Sequence, residues 1–206
     1  MNIAIIGAGQ VGSALAAGLQ KAGHQVTLGV RNTASAKSEK AMALVPHVAV
    51  TSVSKASKGA EAIILTTPPE AVVALVPELG DVKGKVLIDA TNSVRTRPEP
   101  YATAFHALKA LAGSAHVVKC FNSTGFENMA NPLYPNNGGI DMFCAGSDAK
   151  AKATAQQLAI DIGFGACWDF GGDDKVELLE KFALSWINLA IMQGHGRNIA
   201  FKIVKR

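Results

Sequence analysis

The residues best placed to do chemistry stand near the start of the chain: Gly7-Ala8-Gly9-Gln10-Val11-Gly12, directly after the apolar run Met1-Asn-Ile-Ala-Ile-Ile6. A G-x-G-x-x-G spacing between a strand and a helix-like stretch, Ser13 to Ala22, suits a diphosphate. Gly7 makes the tight turn, Gly9 lets the backbone approach a pyrophosphate, and Gly12 allows close packing of helix on strand. The free N–H groups of the helix start would take the phosphate charge. Ala8, Gln10 and Val11 complete the loop.

A second strand, Gln25-Val-Thr-Leu-Gly29, follows, and the first acidic residue of the chain is Glu39. An NAD-binding unit places an Asp or Glu at the end of that strand for the ribose hydroxyls. This chain has Val30-Arg31-Asn32-Thr33 instead. A guanidinium offers a planar fork of donors to phosphate oxygens, so Arg31, with Asn32 and Thr33, suits the 2′-phosphate of NADP, and Lys37 could add charge. The plainer reading of Arg31 is a solvated loop arginine.

These groups need an open α/β sheet to hold them. Apolar runs bounded by turn residues alternate with helical patterns, as in a doubly wound Rossmann-type parallel sheet covered on both faces. Further strands are expected at 47–51, 61–66, 85–89, 116–120, 141–145 and 165–169. Helices are expected at 69–79, where prolines open the run, and at 149–162. From Asp173 the character changes: Asp173 and Asp174 cap a long apolar helix through Val176, Leu179, Phe182, Trp186 and Leu189, broken at Gly194-His-Gly196. The expected division is therefore 1–172, a dinucleotide-binding domain, and 173–206, a helical segment packed on it, on a substrate pocket or on a second subunit.

In doubly wound sheets ligands lie at the carboxyl ends of the strands. Here those ends read Thr66-Thr67-Pro68-Pro69, Ala90-Thr91-Asn92-Ser93 and Phe121-Asn122-Ser123-Thr124-Gly125, small or hydrogen-bonding residues that suit ribose and nicotinamide. Each is equally familiar as plain loop chemistry. No Ser/His/Asp or Cys/His arrangement, metal-spaced His pair or phosphate-loop lysine can be singled out. Cofactor-borne hydride chemistry explains that poverty. Lys119 could be a catalytic amine but sits at a strand end, where a structural role is commoner. His195 is a solvated histidine or a pocket lid, and His24 a loop residue.

The bulk composition agrees. The chain has 206 residues, 49% hydrophobic and 17% charged, enough for one sizeable core with an appendage. A net charge of +4 with scattered basic residues and 6% aromatics favours an anionic small molecule over nucleic acid. Cys120, Cys144 and Cys167 are odd in number and widely spaced, so buried reduced thiols are expected rather than a disulfide framework or a zinc site. With no export-like leader and no apolar stretch long enough to span a bilayer, a cytoplasmic protein away from membranes is expected.

Taken in order, Ile5-Ile6-Gly-Ala-Gly9, Leu28-Gly-Val-Arg-Asn32, Leu87-Ile-Asp-Ala-Thr-Asn92, Val117-Val-Lys-Cys-Phe-Asn122, Met129-Ala-Asn-Pro132 and Cys144-Ala-Gly-Ser-Asp148 resemble the coenzyme F420-dependent NADP oxidoreductase family. They are also similar to the cytoplasmic reductase domain of the STEAP metalloreductases. The resemblance implies NADP(H) along the strand ends and hydride passed to a flavin or deazaflavin, with F420, FMN or FAD as the second substrate, and a homodimer. It implies pyrophosphate on Gly7–Gly12, the 2′-phosphate on Arg31, and Thr66, Thr67, Pro68, Ala90, Asn92 and Phe121 along the cofactor. Asn122 falls where the second cofactor meets nicotinamide, and it is the candidate catalytic residue. Many members carry serine where Val30 stands, so Asn32 or Thr33 replaces that phosphate contact. Archaeal deazaflavin enzymes carry a histidine at the position of Asn122. Two other readings stand beside this one, the first sharing the N-terminal half. One is a pyrroline-carboxylate, hydroxyacid-type or imine reductase, which needs a larger helical domain than residues 174–206 supply. The other is a non-catalytic NADP-sensing module with a protein partner.

Overall fold

The computed structural model describes residues 1–35, 43–113 and 116–206. Lys37 lies outside the described residues. Ten strands are described: β1 Asn2–Ile6, β2 Gln25–Val30, β3 Ala49–Ser52, β4 Ala62–Leu65, β5 Val86–Asp89, β6 Val117–Cys120, β7 Leu133–Tyr134, β8 Gly138–Gly139, β9 Asp141–Ala145 and β10 Ala166–Asp169. The helices lying wholly within the described residues are α1 Gln10–Lys21, α2 Val53–Lys58, α3 Val72–Leu75 between two 3₁₀ turns, α4 Ala104–Leu111, α5 Phe126–Ala130, α6 Ala149–Ile162 and α7 Val176–Ile187.

Eight strands form one sheet in the order β10-β9-β6-β5-β4-β1-β2-β3. Because β1, β4, β5 and β6 are almost wholly buried and mostly apolar, the sheet must be covered on both faces, and successive side chains divide between two cores. Ile3 and Ile5 join Leu15, Leu19 and Leu28 on one side. Ala4 and Ile6 face Val72, Leu75, Leu87 and Phe105 on the other. The chain winds from β1 outward to β2 and β3, then returns to β4 on the opposite side of β1. That reversal opens a crevice at the strand ends.

The fold class is the expected one, with one refinement. β6 pairs antiparallel with β9, Cys120 opposite Cys144, while β10 runs parallel to β9. The connection from β6 to β9 contains only the short helix α5 and the small β7–β8 hairpin, so β9 enters the sheet from the opposite end. Parallel pairing would need a crossover over the sheet, such as α6 provides between β9 and β10. The hairpin turns at Asn136 and Gly138, both with positive φ.

The C-terminal helix differs in its start. Asp173 opens a 3₁₀ turn and makes no cap. Its carboxylate instead accepts from Ser147 N at 2.7 Å and pairs with Lys109 Nζ at 2.5 Å. α7 buries Val176, Leu179, Glu180, Ala183 and Trp186, a stripe at helical spacing. Phe182 stacks edge-on against Phe143 of β9, with centroids 4.9 Å apart. The helix runs on through a π-helical turn to Met192 and stops before Gly194, whose φ is +74°.

Candidate active site

The glycine turn is built by contacts within the chain. Gly7 N donates to Gly29 O at 3.0 Å, tying the end of β1 to β2. Thr66 Oγ1 donates toward Ile6 O and Gly7 O, 3.1 and 3.0 Å away. Its hydroxyl is therefore spent on holding the turn. Gly7 adopts φ +119°, which L side chains rarely tolerate. α1 begins at Gly9 with no side-chain cap and no acidic residue in its first turn. Its leading N–H groups consequently have no competing carboxylate of their own.

A cleft of about 480 Å³ opens at the switch in strand order. Gly7, Ala8 and Gly9 form one wall, and Arg31 and Asn32 stand at the end of β2. Thr66, Thr67 and Pro68 come from the end of β4. Among the described residues Arg31 has no ion-pair partner within 4 Å. Asn32 Oδ1 accepts from Ala34 N at 3.0 Å, which shapes the turn after Arg31. The Thr67 hydroxyl is buried without a partner. Apolar walls come from Val53 of α2, Ala71 of the turn before α3 and Leu75 of α3, none of which the sequence tied to the glycine motif. Only folding brings them opposite the glycines.

The other expected residues lie off this cleft. Gln10 is exposed, Val11 packs against the core, Gly12 is buried in α1, and Thr33 is exposed. Ala90 is buried in the core, and the Phe121 ring is fully buried beside Phe164, with centroids 6.5 Å apart. Phe121 thus has no side-chain surface for a ligand, contrary to the expectation of a contact. Its backbone, however, sits at φ +64°, a left-handed conformation uncommon for a bulky residue. Asn122 is 3% exposed, and its Nδ2 faces Leu179 O of α7 at 3.5 Å.

Lys119 is no free amine. It is fully buried, 3.0 Å from Asp89 Oδ2 and 2.7 Å from Glu180 Oε1, and it donates to Thr91 O at 2.6 Å. Burial pushes its pKa down, but the two carboxylates outweigh that and hold it above the usual lysine value. Burial likewise raises Glu180, against the pull of Lys119. His195 is exposed and away from the cleft. His24 is engaged with Asp161, 3.0 Å away. The three cysteines, distant in sequence, meet across β6, β9 and β10, with Cys120 Sγ 3.9 Å from Cys167 Sγ. All are free thiols. Thiol–thiol hydrogen bonding and burial push Cys144 and Cys167 up, so they stay protonated and poorly nucleophilic. Among the described residues no group of three His, Cys, Asp or Glu could hold a metal, and no helix is long and apolar enough to cross a membrane.

A doubly wound sheet with a glycine turn at its switch point and a basic residue closing β2 is the architecture of the Rossmann-type dinucleotide-binding class. Residues 2–93 match the model of the family described as NADP oxidoreductase coenzyme F420-dependent. That match covers less than half of the chain, which is to that extent similar to the family, and the protein is an NADP-dependent oxidoreductase. Among solved structures, a protein of Arthrobacter sp. FB24 described as an F420-dependent NADP-reductase is 26% identical, with TM-score 0.85 and 100% of both chains covered. The hypothetical protein SMa0349 of Sinorhizobium meliloti is 23% identical over 100% of this chain and 96% of its own, with TM-score 0.73. An imine reductase of Streptomyces aurantiacus shares the fold at 20% identity and TM-score 0.65; the match covers 94% of this chain but 64% of that one.

Proposed function

We propose that this protein passes hydride between NADP(H) and a flavin or deazaflavin acceptor of the F420 type. One observation carries the cofactor half: Arg31, which has no ion-pair partner among the described residues, lines the cleft where an NAD enzyme would present a carboxylate. In this reading the 2′-phosphate lies on Arg31, and the adenine lies between the apolar walls of Val53 and Leu75. The pyrophosphate lies over Gly9 and the start of α1. The space at Gly9 supports that placement, since a β-carbon there would meet no protein atom within 4 Å. When bound, the nicotinamide supplies the hydride; the chain binds, orients and excludes water. Asn92 and Asn122 would hold the nicotinamide end.

The resemblance to an F420-dependent NADP-reductase over its whole length supports the deazaflavin acceptor. An imine-reductase activity is the second reading, supported by shared fold and limited by the third of those enzymes that this chain does not span. The test is NADPH and NADH binding in the wild type and in Arg31→Ala, followed by NADPH oxidation with F420, FMN, FAD and a cyclic imine. Losing a charge-assisted phosphate contact should cost about 1.5–3 kcal/mol, roughly ten- to a hundredfold in NADPH affinity, with NADH unchanged. Equal affinity of the wild type for both nucleotides would sink the assignment.

A further inference from the structure

Beyond the carboxyl end of β5 the chain reads Ser93-Val94-Arg95-Thr96-Arg97-Pro98, two arginines on either side of a threonine. Arg95, Thr96 and Arg97 are all exposed. Among the described residues no carboxylate lies within 4 Å of either guanidinium. Neither arginine lines the cleft that suits the dinucleotide, which leaves both for a second molecule.

The loop is anchored on both sides of the pair. Ser93 N donates to Glu180 Oε2 at 3.0 Å, while Ser93 Oγ accepts from Ala104 N at 3.1 Å. Pro98 is buried, and its carbonyl accepts from Tyr101 N at 2.9 Å. Between these anchors Thr96 Oγ1 donates to Glu70 Oε2 at 2.6 Å. That hydroxyl holds the Glu70 carboxyl below its usual range, so the carboxylate serves the threonine and not an arginine. Glu70 belongs to the 3₁₀ turn Pro69–Ala71, and Pro68 and Ala71 on either side of that turn's start and end line the cleft. The middle of the loop is thereby tied to the cleft rim, with an arginine before it and another after it.

We infer that Arg95 and Arg97 form a subsite for an anionic tail on the redox acceptor, a phosphate ester carried by an isoalloxazine or deazaflavin ring. The inference rests on the hydride-transfer reading above, which puts the nicotinamide beside Asn92. Arg95 follows three residues later, at most roughly 11 Å of extended chain. An acceptor ring stacked on the nicotinamide brings its side chain within reach of this loop. Guanidinium groups offer phosphate oxygens a planar fork of donors, and two of them on an anchored loop need little ordering to engage one.

The experiment uses matched acceptors on the full chain with NADPH as donor: FMN against riboflavin, and F420 against the deazaflavin alcohol that lacks its phosphate. Within a pair the ring is the same and only the anion differs. In either member NADPH gives one hydride to the ring, which takes a proton from solvent. In whichever pair is reduced, kcat/KM should be at least about tenfold higher for the phosphate-bearing member at low salt. The ratio should shrink as salt rises, because both arginines are exposed and their charges are screened. In the double variant Arg95→Gln, Arg97→Gln the ratio should fall to within about twofold of one, with NADPH affinity unchanged. Both side chains lie on the surface, so the variant should fold as the wild type does. A wild-type ratio within about twofold of one would overturn the subsite and leave the acceptor reading standing. A high ratio that survives in the double variant would overturn the assignment to these arginines. A loss of NADPH affinity in that variant would give them to the dinucleotide instead and refute the subsite. No NADPH oxidation with any of the four acceptors would remove the acceptor reading, and the subsite with it.

Discussion

At Gly12 a β-carbon would stand 2.0 Å from the Gly7 carbonyl oxygen and 2.8 Å from Thr66 Oγ1, whereas at Gly9 it would meet nothing within 4 Å. Gly12 is required by the protein's own backbone, whereas no atom of the chain requires a glycine at position 9. Gly12→Ala should therefore destabilise the fold by about 1–3 kcal/mol or more, seen as a lower denaturation midpoint. Gly9 has φ −85° and ψ −174°, open to any residue. Gly9→Ala should leave stability within about 0.5 kcal/mol of the wild type and still weaken NADPH binding at least tenfold, readable by paired melting and titration curves. The motif already gave the three glycines different roles, which the structure ties to particular neighbours. Their separate roles depend on which neighbour each one approaches, Thr66 among them, which lies some sixty positions away in the chain.

Between elements, the charges that matter are those joining one strand or helix to another. Lys119→Met would leave Asp89 and Glu180 buried without their cation, a change worth about 3–5 kcal/mol in denaturant unfolding. At the surface, Asp148 caps α6 through Ala151 N at 2.8 Å and pairs with His116 at 3.0 Å. Burial raises its pKa, but the Ala151 N–H and His116 outweigh that and hold it below the usual range. Asp169 and Asp173 are also held low: burial raises each, and hydrogen bonds from Lys152 and Lys109 respectively outweigh it. A depressed folded-state pKa adds stability that is present above the ordinary aspartate value near 4 and lost as pH falls through the folded value. The denaturant midpoint should accordingly drop between about pH 5 and pH 2, and less steeply in Asp148→Asn. A flat profile over that window would contradict the pairing. The sequence placed α6 and its neighbouring strands, yet it could not reveal that Asp173 serves Ser147 and Lys109 rather than α7, since both partners come from other elements.

For the molecule as a whole, the cleft couples binding to stability. NADPH at about a hundred times its dissociation constant should stabilise the fold by about 2.7 kcal/mol, a rise in Tm of roughly 5–10 °C. NADH at the same concentration should give a smaller rise, and an equal one would argue against a phosphate contact at Arg31. The exposed Leu178, Leu189, Ile191 and Met192 lie on the outer side of the C-terminal helix, where the pairing of two copies expected from the family resemblance would be sought. Sedimentation at several concentrations tests that expectation, and a monomer throughout would exclude it.

Local chemistry was legible from the chain alone: apolar runs that must be strands, a glycine spacing that needs a tight turn, and arginine where a carboxylate would otherwise stand. These are properties of neighbours in sequence, and period and turn chemistry express them directly. The apolar walls of the cleft, the reversal of β9, the meeting of the three thiols and the burial of Lys119 between Asp89 and Glu180 were decided only in three dimensions. Each depends on which strands lie side by side, a choice set by how the whole sheet covers its two faces.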